Sequence, residues 1–180
     1  MTSKAHVEDF GQALVELSIF FAVMCVFVFG IIDFGRAIYG KQVIENLAGE
    51  GSSLASRGTD PDEAAQTVTD FSGSAIDLAH KGCVIITVVT NQSGTLTITD
   101  QGTVCAITAA SRIGCLQGVN GCHSSSPNLP TAASTALRSE ASGSSMYVTE
   151  VFYTFSAITP EARFLNGHGL PSQLYSVAYF

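Results

Sequence analysis

Gly11-Gln12-Ala13-Leu14-Val15-Glu16-Leu17-Ser18 opens the stretch that decides how this chain is built. From Leu17 to Ile32 no residue is charged, and most side chains are Ile, Phe, Val, Met or Ala. Glu16 stands at the mouth of that run and Asp33 closes it. Counted from Gln12, the run is long enough to cross a bilayer as one helix. Residues 1–11 form a short polar leader containing Lys4, His6, Glu8 and Asp9. The leader lacks the positive cluster of a secretory signal, and no A-x-A-like site follows the apolar run. A removed signal peptide is therefore a poor reading, and an uncleaved signal anchor on a domain unrelated to filaments is the serious rival.

The helix is expected to continue past the membrane, over 34–58. Phe34, Ile38, Val43, Leu47 and Leu54 read as its apolar stripe, with Arg36, Lys41, Gln42, Glu45 and Glu50 between them. A helix from Gln12 to Ser56 would be about 65 Å long, so its outer half has to pack on something. Asp33 and Arg36 lie three apart on that helix and are expected to pair at a helix interface.

Residues 59–180 read as an α+β domain outside the membrane. Asp60-Pro61-Asp62-Glu63 is a helix start, with Asp60 as N-cap and Glu63 as the capping-box acid. Val68, Phe71, Ala75 and Leu78 are expected on that helix's buried side, and Lys81-Gly82 at its end. The period then changes. Cys83 to Thr90 is a β-branched run, expected as a strand buried on both faces. Asn91 to Gly94 is a turn, Thr95–Thr99 a half-buried strand, Asp100-Gln101-Gly102 another turn, and Thr103–Thr108 a third strand, giving an antiparallel meander. Residues 110–146 read as a long polar loop. Tyr147–Phe155 and Leu174–Phe180 are further strands, with Pro160–Pro171 a loop or short helix between them.

Composition narrows the function classes. The 180 residues are 46% hydrophobic and 13% charged, with a net charge of −7. The eight Lys and Arg are scattered, so nucleic-acid binding is disfavoured. No phosphate loop, metal-ligand spacing or nucleophile elbow is present, so neither catalytic residues, a cofactor nor a metal is expected. Of the five cysteines, Cys25 lies in the apolar run. Cys83, Cys105, Cys115 and Cys122 are an even set in a small domain beyond the anchor, which points to disulfides. Three pairings exist. Cys115–Cys122, closing a short loop, and Cys83–Cys105, joining two expected strands, are favoured over the alternative of buried free thiols.

A glycine, four uncharged residues, a glutamate and an apolar helix together resemble the class III prepilin peptidase site of type IV pilin-like proteins. With Gly30-Ile31-Ile32-Asp33-Phe34-Gly35-Arg36-Ala37-Ile38-Tyr39, residues 11–55 resemble the TadE-like pseudopilins of tight-adherence (Tad/Flp) pilus systems. The resemblance implies a pilin-like fold, with a long N-terminal transmembrane helix over 12–33 packed, beyond the membrane, on a small antiparallel sheet. It implies cleavage between Gly11 and Gln12, with Glu16 serving assembly and peptidase recognition by pairing with the new amino terminus. It implies as partners a prepilin peptidase, other pilins and the assembly platform. It places the chain in the inner or cytoplasmic membrane as a single-pass protein, with its C-terminal domain extracytoplasmic and able to enter the pilus. A tip adhesin that uses the 110–146 loop, or a major filament subunit, shares the same anchor and is the alternative.

Overall fold

A computed structural model of the protein describes residues 5–115, 122–124, 126–157 and 172–180, with side chains placed from Gly11 onward. The loop or short helix expected over Pro160–Pro171 lies outside the described residues, as does most of Gly118–Ser125. The charge-free run does what its length dictates. It is part of one helix, α1, spanning Ala5–Ser56 over 52 residues. Helical backbone therefore begins upstream of Gln12, within the segment expected to be a leader. The described residues fall into two compact units, one ending at Ile38 and one made of Tyr39–Phe155 with Ser172–Phe180.

The second unit is organised on a four-stranded antiparallel sheet. Strands β1 (Gly82–Gln92), β2 (Thr95–Cys105), β3 (Ser145–Thr154) and β4 (Gln173–Tyr179) lie in the order β2-β1-β3-β4. The Ser93-Gly94 turn between β1 and β2 has φ of 55° and 89°, the double left-handed geometry of a tight hairpin. β1 is buried on both faces for most of its length, as its β-branched run requires.

Two sequence expectations fail at β2. Thr95–Thr99 and Thr103–Thr108 are not separate strands: Thr95–Cys105 is one bulged strand, and Ala106–Thr108 lie beyond its end. Val88 opposes Asp100 while Val89 opposes Ile98, which leaves Thr99 as the extra residue. Asp100 Oδ1 accepts from Gln101 N at 2.8 Å, a turn-like contact that bends the strand without reversing it. Gly102 stays in the ladder because the Pro61–Asp62 backbone lies against it, and a Cβ there would overlap that backbone. The meander is likewise replaced, since β3 pairs with the other side of β1.

Helix α2 (Pro61–Phe71) starts as its sequence dictates, with Asp60 Oδ1 accepting from Asp62 N at 3.0 Å. It ends earlier than expected. Ser72-Gly73-Ser74 form a single 3₁₀ turn, and a short α3 (Leu78–Lys81) follows. Val68 and Leu78 are buried, but Phe71 at the helix end is 73% exposed.

The stripe expected on α1 is also wrong, and the reason is distance. In the second unit the buried α1 positions are Gly40, Ile44, Ala48, Gly51, Ser52 and Ala55. Val43, Leu47 and Leu54 are half-buried, and in the first unit Phe34 and Ile38 are exposed. The helix lies so close to the sheet that mostly small side chains fit between. A Cβ on Gly51 would stand 2.9 Å from Thr149 Cγ2, and one on Gly40 would stand 3.3 Å from Leu174 Cδ1. Lys41 Nζ donates to Tyr175 O at 2.7 Å, tying the helix to β4.

The opposite face of the sheet is covered by the connection between β2 and β3. Val89, Leu96, Ile98, Ile113, Leu137 and Val148 form one cluster there, and Cys83, Ile85 and Phe152 form another. The connection carries a helix that its polar sequence hides, α4 (Thr131–Ser139), whose one buried residue is Leu137. Asn91 Nδ2 caps it from below, donating to Leu137 O at 3.1 Å and Glu140 O at 3.0 Å.

On the helix face, Thr149 Oγ1 is buried without a hydrogen-bond partner among the described residues. Thr149→Val removes that desolvated hydroxyl at nearly constant volume and is expected to stabilise the domain by about 1 kcal/mol. Gly51→Ala, which forces a methyl onto the same side chain, is expected to destabilise it by about 1–3 kcal/mol. Urea midpoints of the full chain in detergent check both, and an unchanged or lower midpoint for Thr149→Val would show that the hydroxyl is satisfied.

Candidate membrane anchor and assembly segment

Between Leu14 and Phe34 the large apolar side chains of α1 point outward on every side. Leu14 is 66% exposed, Phe21 68% and Ile31 71%. A helix apolar all round needs an apolar surrounding, and this one meets the length and composition for a membrane crossing. The described chain thus has one long apolar N-terminal helix that fits a single-pass membrane-anchored protein.

Of the residues singled out at its start, Gln12 and Glu16 share one face of the helix. Gln12 Nε2 donates to Glu16 Oε1 at 3.1 Å, the contact that i,i+4 spacing allows. Gly11 precedes them within the same helix, and a Cβ added there would meet nothing within 4 Å. Packing within the chain therefore does not demand a glycine at 11. Asp33 lies about 26 Å and Arg36 about 30 Å further along the helix axis from Glu16. Arg36 Nη1 is 3.5 Å from Asp33 Oδ1, with the Asp33 side chain 3% exposed and that of Arg36 43%.

The four outer cysteines form two disulfides. Cys83 at the start of β1 is bonded to Cys105 at the end of β2, directly across the ladder with Cα atoms 3.9 Å apart. Cys115 is bonded to Cys122 with Cα atoms 5.7 Å apart. Cys25, half-buried in the anchor, is a free thiol.

The sequence reading missed Glu150. It sits in β3, fully buried, on the face away from α1. Three donors converge on its carboxylate. Ser111 Oγ–H donates to Oε2, Arg112 N–H to Oε1 at 2.9 Å, and Tyr175 O–H to Oε1 at 3.0 Å. The Arg112 guanidinium lies 3.8 Å above the centre of the Tyr175 ring, which also packs on Phe152 at 4.9 Å. Burial first, then the Glu150 charge and the hydrogen bond to it, push the Tyr175 phenol well above its usual range. Burial and the same charge raise Tyr179. A lone acid in a strand is usually solvent-facing, and only the alternation of β3 hints at an inward position.

Residues 11–53, the anchor and the start of its continuation, match the family model described as TadE-like protein. No curated protein and no solved structure matches the chain significantly. The match covers 43 of the 180 residues and makes the anchor segment, not the rest of the chain, similar to that family.

The Tyr175 site sets a pH dependence. Its folded-state pKa is raised, so its contribution to stability is fully present below the unfolded value near pH 10 and is lost as pH rises toward the folded value. Unfolding free energy is therefore expected to fall above about pH 10 in the wild-type chain and to fall less steeply in Tyr175→Phe. Parallel alkaline profiles for the two would show that the phenol is not held protonated by Glu150.

Proposed function

We propose that this chain is a pilin-like subunit, cut by a prepilin peptidase after Gly11 and used in building a Tad-type pilus. The observation that carries the reading is a coincidence of position. The family match begins at Gly11, and Glu16, five residues on, is a carboxylate at the mouth of a charge-free, outward-facing helix. Residues 1–11 are the leader removed on processing, and 12–33 are the transmembrane span. Residues 34–58 carry the helix out of the membrane, and 59–180 are the extracytoplasmic domain whose disulfides suit an oxidising compartment.

The chemistry at the start of the helix supports this reading. A peptidase has to open the helix to reach the peptide bond after residue 11. Glycine lowers the cost of that opening by about 1 kcal/mol against alanine, and its missing Cβ leaves room for catalytic groups. A carboxylate in an apolar helix costs about 2–3 kcal/mol at the bilayer centre and less near the interface, so Glu16 gains from a charged partner. Before cleavage Glu16 accepts a hydrogen bond from the neutral Gln12 amide. Cleavage converts Gln12 into a cationic amino terminus, on the same or a neighbouring subunit, and so couples processing to assembly. Asp33 and Arg36 are the polar pair at the outer end of the span, with the Arg36 side chain the exposed member. The platform proteins, the other pilins and the membrane are the remaining partners.

Intact-mass measurement of the protein from its native membrane tests the reading. The expected mass is that of a chain beginning at Gln12, reverting to the full chain when the peptidase is removed or in Gly11→Leu. A chain that always retains Met1–Gly11 would return the protein to the class of signal-anchored domains. Glu16→Gln is expected to be cut and to insert normally but to enter sheared filaments several-fold less, because the amide cannot pair with the new amine as a carboxylate does.

A further inference from the structure

We propose that Ala106–Arg112 is a strap that lifts from the sheet as a unit, with Glu150 as its latch. This inference does not depend on the filament reading. The strap leaves β2 at Cys105, where the disulfide to Cys83 pins its near end. Its far end is held at Ile113, buried in the larger core cluster, whose carbonyl accepts from Asn128 N at 2.8 Å. Asn128 Nδ2 also donates to Arg112 O at 3.1 Å, and Gln101 Nε2 to Gly114 O at 3.2 Å. Gly114 and Cys115, with φ of 130° and 61°, follow immediately.

Between these two fixed ends the strap is shallowly seated. Exposure alternates from 106 to 110, and only Ile107 and Ala109 there are half-buried against Cys83, Ile85 and Phe152. Ala106 N donates to Gly82 O at 2.9 Å and so belongs to the pinned end beside the disulfide. Beyond it, among the described residues, the strap's hydrogen bonds to the sheet face beneath it, from the Ser111 hydroxyl and the Arg112 N–H, both end on Glu150. Tyr175 and Tyr179 from β4 face the same carboxylate, and the Arg112 guanidinium of the strap lies over the Tyr175 ring.

Concentrating the attachments on a buried carboxylate makes closure a near-balanced exchange. Closing the strap strips water from Glu150, which is costly for an ionised group. The charge-assisted bonds return that cost, but only while donors and acceptor are in place. Lifting the strap gives Glu150 back to water, so the open state is much less penalised than an opening over apolar residues alone. What lifting uncovers is the apolar patch of Cys83, Ile85 and Phe152.

Amide hydrogen exchange on the full chain in detergent micelles, read residue by residue, tests this. The Arg112 amide is expected to exchange faster than those of Val84 and Ile86 in β1, through an opening that β1 does not share. Ser111→Ala is expected to speed the Arg112 amide by at least about tenfold while leaving the β1 amides nearly unchanged. Tyr175→Phe leaves the strap itself intact and keeps the test open if Ser111→Ala does not fold. It is expected to act in the same direction, because a less compensated carboxylate gains more from water. Equal exchange rates for Arg112 and β1, moving together in each variant, would mean that the strap opens only with global unfolding. No acceleration in either variant would likewise overturn the latch.

Discussion

β1 has to be covered twice. Its side chains alternate between two faces, and both are buried along most of the strand. A chain of this size can meet that demand only by laying one element on each side. The face of Val84 and Ile86, shared with Thr149 and Val151 on β3, receives the outer part of α1 and α2. The face of Cys83, Ile85 and Val89 receives the connection from β2 to β3, with its strap, its disulfide loop and α4. Putting β1 inside the sheet also leaves β2 at an edge. Three of its outward N–H groups are occupied there, with Ile98 donating to Ser124 O, Gln101 to its neighbour Asp100, and Thr103 to Asp62. The start of α2 therefore does two things at once, covering one face and guarding one edge.

Signals carried by neighbouring residues were legible in the sequence. The charge-free run, the β-branched run of β1, the Ser93-Gly94 turn and the N-cap at Asp60 each need only local chemistry, and each appears where its residues place it. So does the contact of Gln12 with Glu16, since helical spacing alone brings them together. What was illegible depends on chain that is distant in sequence. Asp100-Gln101-Gly102 has turn chemistry, but Pro61 occupies the space beside Gly102 and the ladder continues. The buried side of α1 was misread because large apolar residues carry the periodic signal, whereas the contact with the sheet selects for smallness. α4 escaped because Thr131–Ser139 has a single buried apolar residue and so no period to detect. Glu150 escaped because its donors come from Ser111, Arg112 and Tyr175, which no spacing rule links to it.

The single helix α1 has to satisfy two different surroundings, and its composition changes accordingly. Up to Phe34 it carries large apolar side chains in all directions, which suits contact with lipid or with other apolar helices. From Gly40 its inward positions become small, while Lys41 and Glu45 pair at 3.0 Å on its flank. Glycine and alanine at the seam bury little area per residue, so the close docking there is a matter of fit more than of hydrophobic area. The Asp33–Arg36 pair falls near the change, where a charge-free segment gives way to one with ordinary surface polarity.

Thr149 and Glu150 are neighbours on β3 that point to opposite faces, and they show how differently those faces are closed. Thr149 meets Gly51 in a close contact, with no hydrogen-bond partner for its hydroxyl among the described residues, so fit matters most at that seam. Glu150 meets three donors, so on the other face directed bonds to a carboxylate add to the apolar clusters in holding the strap down. Shape complementarity is lost all at once when a helix moves, because every contact in the seam is short-ranged. Bonds to a carboxylate can be exchanged one at a time for bonds to water. The helix face is accordingly the one that can fix the domain to its anchor, and the strap face is the one that can yield while the sheet stays folded.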